Sequence, residues 1–211
     1  MRTKTLLLAA AALAIGIVCS QADGGTVYSQ NVVGYINQVI PAGFSMVANQ
    51  VDYDGTGTNN TLANIMPSPP NFTQVYKFTG TGYDTASYYN GWNSPNFTLN
   101  PGEGAFINNP GPSPITNTFV GTVLQGTFTN AVPAGYSLKG FNVPISGAIH
   151  ATLGYPVANF DQIYTWTGTN YVSYSYYNGW GSGGEPTINV GQSFFINRLA
   201  STNWVVNFTV Q

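Results

Sequence analysis

Residues 71–92 read NFTQVYKFTGTGYDTASYYNGW, and residues 159–180 read NFDQIYTWTGTNYVSYSYYNGW. Such a return is the mark of an internal duplication, to be settled before anything else is argued. Within each copy, polar and aromatic residues alternate at the period of an extended chain. Gln74, Tyr76 and Phe78 share one face, as do Gln162, Tyr164 and Trp166, so one aromatic face is kept in both units. Thr79-Gly80-Thr81-Gly82 and Thr167-Gly168-Thr169-Asn170 each separate two alternating runs and read as hairpin loops.

Working outward, Pro41-Ala42-Gly43-Phe44-Ser45-Met46 matches Pro133-Ala134-Gly135-Tyr136-Ser137-Leu138. Downstream, Gly102-Glu103-Gly104-Ala105-Phe106-Ile107-Asn108 matches Gly191-Gln192-Ser193-Phe194-Phe195-Ile196-Asn197. Three blocks in one order divide the chain into units at 25–121 and 122–211. The 25 Gly and 13 Pro punctuate short runs of Val, Ile, Thr, Tyr and Phe, and no window sustains a helical period. Residues 62–66 and 151–155 have room for a single helical turn before Pro67 and Pro156. The expected fold is all-β, two homologous tandem units forming a β-sandwich or barrel-like pair. Strand-like margins open the duplicated part (27–35), lie between the units (118–123) and close the chain (203–208). Either neighbours share the middle one, or a terminal strand carrying Trp204, Val205, Val206 and Phe208 is spare for pairing with another molecule.

The first 22 residues read as a secretory signal peptide: Arg2 and Lys4, an apolar run over 6–18, then Ser20-Gln21-Ala22. That run is too short to span a bilayer, which needs roughly 20 apolar residues, and no later stretch qualifies. Cleavage after Ala22 removes Cys19, the one cysteine, leaving no thiol for disulfides or metal. Only Lys77, Lys139 and Arg198 then face seven acids, a net −4 in a chain that is 6% charged and 14% aromatic. No phosphate-neutralising surface exists, which argues against nucleic acid. A secreted, extracellular or cell-surface protein is expected.

Chemical signatures are sparse. His150 is the single histidine, and no Gly-x-Ser-x-Gly elbow accompanies it. Glycoside hydrolysis needs two facing carboxyl groups, yet none of Asp84, Glu103, Asp161 and Glu185 is kept between the copies. Asp52-Tyr53-Asp54-Gly55-Thr56-Gly57 begins like a calcium loop but lacks its third and terminal acids, so a turn is the better reading. No enzyme, cofactor or metal is expected. The Tyr-Tyr-Asn-Gly-Trp blocks are the best site candidates: Tyr88, Tyr89 and Trp92 in one unit, Tyr174, Tyr176, Tyr177 and Trp180 in the other. Flat rings beside amides and hydroxyls suit sugar C–H faces; the same rings also serve as core and cross-strand pairs.

Across the Pro-Ala-Gly-Phe/Tyr-Ser, Asn-Gly-Trp and Gly-x-x-x-Phe-Ile-Asn series, the chain resembles a loose group of secreted tandem-repeat β proteins of environmental bacteria. The resemblance implies an exported β module, with no catalytic residues to carry over. Low charge, Asn/Thr/Tyr surfaces and margin strands favour a non-enzymatic extracellular structural protein, such as a matrix, surface-layer or filament subunit, with itself as partner. The alternative is a carbohydrate-binding module with polysaccharide as partner.

Overall fold

The computed structural model describes residues 32–210, so the expected signal peptide, with Cys19, lies outside the described residues. The first repeat contains β1 (Val33–Ile40), β2 (Gly43–Ala48), α1 (Leu62–Ile65), β3 (Gln74–Phe78), β4 (Tyr83–Ser87), β5 (Gly104–Asn109) and β6 (Ile115–Thr122). The second contains β7 (Gly126–Val132), β8 (Gly135–Gly140), β9 (Gly147–Ala148), β10 (Gln162–Trp166), β11 (Tyr171–Ser175), β12 (Thr187–Ile188), β13 (Ser193–Arg198) and β14 (Thr202–Phe208). The described residues are all-β, with two similar sets of sheets in a sandwich-like arrangement and no closed barrel among them. Among the described residues no helix is long and apolar enough to cross a membrane.

Each repeat builds the same four-stranded antiparallel sheet, ordered β2-β5-β3-β4 and β8-β13-β10-β11. The hairpins read from the sequence are present: Phe78 pairs with Tyr83 and Trp166 with Tyr171 across the four-residue loops. Registers agree as well, Tyr76 opposite Phe106 in one sheet and Tyr164 opposite Phe195 in the other. The strand period then sorts the side chains. Val47, Val75, Ala86, Ala105 and Ile107 go to one buried face, while Phe44, Tyr76, Phe78, Tyr83 and Phe106 go to the opposite one.

The margins differ from the expectation of three strands. Four are present, and each repeat closes its own antiparallel ribbon, β1 with β6 and β7 with β14. The unrecognised strand was β7, whose polar Thr and Asn residues hide an inward series of Phe128, Asn130 and Val132. Trp204 to Phe208 are therefore not spare: β14 is paired along all seven residues, and Trp204 is fully buried with its indole N–H donating to Leu153 O at 2.9 Å. Val205 is exposed, Val206 buried and Phe208 half-buried. The link between repeats is residues 123–125.

One hydrophobic core runs through both repeats, from Ile40, Val47 and Phe119 to Phe141, Phe194 and Trp204. The repeats meet through reciprocal contacts. Ala48 N donates to Gly191 O (2.8 Å), and its equivalent Gly140 N donates to Gly102 O (3.0 Å). Val47 bridges to Gln192 as Lys139 bridges to Glu103. When residue i of one copy touches j of the other and j touches i, the relation is a two-fold axis. The molecule is thus a pseudo-dimer within one chain.

Candidate functional site

Across that axis the two aromatic faces adjoin. Met46, Phe106, Leu138 and Phe195, two from each repeat, form a second buried cluster, against which Tyr76, Phe78, Tyr164 and Trp166 pack. Ring contacts cross the axis in matched pairs: Phe78 to Phe195 at 5.2 Å and Phe106 to Trp166 at 5.9 Å, with Phe106 and Phe195 themselves 6.3 Å apart. The edge-on geometry of the first two is what ring quadrupoles favour.

Above this floor lie two open pockets of about 390 and 330 Å³. The first is lined by Phe78, Tyr83, Tyr136, Tyr164, Tyr171 and Phe195. The second is lined by Phe44, Tyr76, Tyr83, Phe106, Trp166 and Tyr171. Applying the repeat equivalence to the first lining generates the second, residue for residue. Tyr83 and Tyr171, equivalent to one another, belong to both. Phe44, Tyr83, Tyr136 and Tyr171 remain 43–48% exposed, so their rings are available to a ligand.

Hydrogen bonds fix the walls. Tyr76 and Tyr164 hydroxyls donate to Gln74 and Gln162, each at 2.9 Å, and Asn197 donates to Gln162 at 3.1 Å. The Trp166 indole N–H reaches across the axis to Phe44 O at 2.9 Å. No carboxylate, amine or imidazole lines either pocket. Burial raises the Tyr83 and Tyr171 hydroxyls above the usual phenol value, with Tyr83 adding to the effect on Tyr171. Burial, helped by the neighbouring Tyr136, pushes Tyr164 up to about 12. The basin is uncharged at neutral pH.

The Tyr-Tyr-Asn-Gly-Trp residues sit elsewhere. Trp92 and Trp180 are half-buried against the core, with Tyr88 and Tyr176 edge-on to them at 5.4 Å in both copies. The Trp92 indole is tied to Met66 O, and Tyr174 also packs on the core. Tyr89 and Tyr177 are over 60% exposed and rest on Phe72 and Phe160, at 5.3 and 5.0 Å. None of the seven lines the basin. The pocket residues Phe44, Tyr136, Phe106 and Phe195 were visible only as repeat blocks. The signal that pointed to the basin was the aromatic face of Tyr76, Phe78, Tyr164 and Trp166.

The acids are committed to local structure. Glu103 accepts from Asn100 N and pairs with Lys77 at 2.7 Å. Its equivalent Gln192 accepts from Asn189 N in the same turn. Lys139, nearby, is held below the usual lysine value by burial, partly offset by Glu103. Asp161 is buried, accepting from Tyr155 OH at 3.0 Å beside Arg198. Glu185 accepts from the backbone of His150 and Ala151, while His150 Nδ1 contacts Tyr155 O. Asp84 lies on β4, exposed. In the calcium-like loop, Asp52 accepts from Gly57 N and Asn60, and Asp54 from Thr56 and Asn59, hydrogen bonds that hold the Asp54 carboxyl below its ordinary value. These carboxylates close a turn. Among the described residues no group of three His, Cys, Asp or Glu is placed to hold a metal.

No family model, no curated protein and no solved structure matches this chain.

Proposed function

We propose that this is an exported, non-enzymatic carbohydrate-binding protein whose site is the duplicated aromatic basin, in preference to a matrix, surface-layer or filament subunit. The observation that carries the reading is that ten aromatic side chains surround two surface pockets with the same lining in each. A core would enclose such rings, whereas here four of them are half-exposed. Pockets of this size fall at the lower end of the range for small ligands. Ring faces take up the C–H face of a pyranose, and the half-exposed Tyr83, Tyr136 and Tyr171 carry hydroxyls on the same linings. With no ionisable wall and a net negative chain, neutral glycans fit better than acidic ones.

The test is retention of residues 23–211 on cellulose, chitin, xylan and mannan. Replacing both Tyr83 and Tyr171 by Ala removes the wall common to the two pockets. Because these side chains are half-exposed, the double variant is expected to keep a single cooperative urea unfolding transition and lose at least tenfold in retention. Wild-type retention by the folded double variant, or no retention of the parent on any of the four, refutes the assignment.

A further inference from the structure

The two pockets are halves of one continuous surface. They share Tyr83 and Tyr171, and the cross-axis contacts of Phe78 with Phe195 and Phe106 with Trp166 make one continuous floor. Two long ligands, each running on past its own pocket, would have to crowd against the same pair of tyrosines, whereas short ones confined to one pocket each would not.

Resting on the carbohydrate-binding reading, we infer that a single linear glycan lies across both pockets, crossing the two-fold axis over Tyr83 and Tyr171. The symmetry also selects the chemistry of recognition. A two-fold axis reverses direction, so a chain passing from one pocket to the other meets equivalent residues in opposite polarity. Hydrogen-bonding groups that read chain direction would suit one half and misfit the other. Stacking on ring faces suits both, because a pyranose presents a flat C–H face whichever way the chain runs. The ligand class is therefore a neutral, extended polysaccharide whose sugars carry their substituents equatorially, as in β-1,4-linked glucans and xylans. The lining agrees: the N–H of Trp166 is already spent on Phe44 O, and the Tyr76 and Tyr164 hydroxyls donate to Gln74 and Gln162.

Calorimetric titration with cello-, xylo- and chito-oligosaccharides of two to six sugars tests this. The expected result is two disaccharides per protein but one hexasaccharide, with an affinity gain of tenfold or more as the second pocket is engaged intramolecularly. Phe44 lines only one pocket and Tyr136 only the other. Phe44→Ala and Tyr136→Ala should each return the hexasaccharide to disaccharide affinity while leaving one disaccharide site intact, a control that the variants are folded. Two hexasaccharides per protein, with no gain in affinity with length, would overturn the single-chain geometry and leave carbohydrate binding standing. Absence of binding by every oligosaccharide would remove the underlying reading itself.

Discussion

Ala48 and Gly140 occupy the same place in the two repeats, and they face each other at the axis. So do Gly104 and Ser193. A Cβ on Gly140 would fall far inside contact distance of the Ala48 Cβ, and one on Gly104 would lie 2.7 Å from the Ser193 Cβ. Each axial contact therefore has room for one Cβ, and the two repeats supply it alternately. A first repeat paired with itself would put Ala48 against Ala48; a second repeat paired with itself would put Ser193 against Ser193. Either arrangement overlaps, so these two positions favour the pairing of unlike repeats within one chain. Gly140→Ala should accordingly cost about 1–3 kcal/mol, the usual penalty of forcing a methyl into a filled contact. Ala48→Gly/Gly140→Ala, which moves the methyl to the other side, should recover most of that loss. Urea midpoints at unchanged slope measure both. A double variant no more stable than Gly140→Ala alone would show that the axial methyl is not what the contact is sensitive to.

At the scale of elements, the β7–β14 ribbon decides whether the carboxyl-terminal strand is structural or spare. Trp204 stacks on Phe141 at 5.1 Å and meets Tyr155 edge-on at 5.4 Å, all three rings fully buried. Deleting residues 204–211 should thus unfold the second repeat rather than release a folded monomer. Trp204→Ala should cost about 3–5 kcal/mol, the range for a buried Trp truncation. A truncated chain that still unfolds in one cooperative urea transition near the full-length midpoint would contradict the pairing. The same ribbon shows where sequence reading runs out. The hairpins were legible because their alternation is clean, their loops carry Gly, and the duplication states the pattern twice. β7 was not, because Thr127, Thr129 and Asn130 resemble a linker until the opposing Val206 and Trp204 show which residues turn inward. The basin was half legible. Tyr76, Phe78, Tyr164 and Trp166 were recognised as a kept face, but Phe44 and Phe106 join them only through strand register, across 61 residues of intervening sequence. The Tyr-Tyr-Asn-Gly-Trp blocks drew attention by composition, yet their Trp rings serve the core, as an aromatic-rich chain with few charges requires.

For the whole molecule, the scarcity of charge makes a prediction about conditions. The three bases among the described residues lie outside the pocket linings: Lys77 pairs with Glu103, Lys139 stands where its backbone bridges to Glu103 across the repeats, and Arg198 is buried against Tyr155 and Asp161. A ligand held by ring faces and neutral hydrogen bonds has no Coulomb attraction for salt to screen. Retention should therefore be unchanged between low salt and molar sodium chloride, in contrast to binding by a basic surface. It should also be flat from pH 5 to pH 9, because burial raises the titration of Tyr83, Tyr171 and Tyr164, leaving all three neutral in that window. The alkaline limit follows from the same shift. A phenol whose folded value lies above its unfolded one stabilises the fold fully below the unfolded value, near 10, and that contribution is lost as pH rises through the folded value. For Tyr164 the loss spans pH 10 to about 12. Retention and fold should fail together there, followed by affinity electrophoresis and by tyrosinate absorbance on the same samples. Retention that weakens steeply with salt at neutral pH would mean that charge holds the ligand, and the aromatic basin would then be the wrong surface.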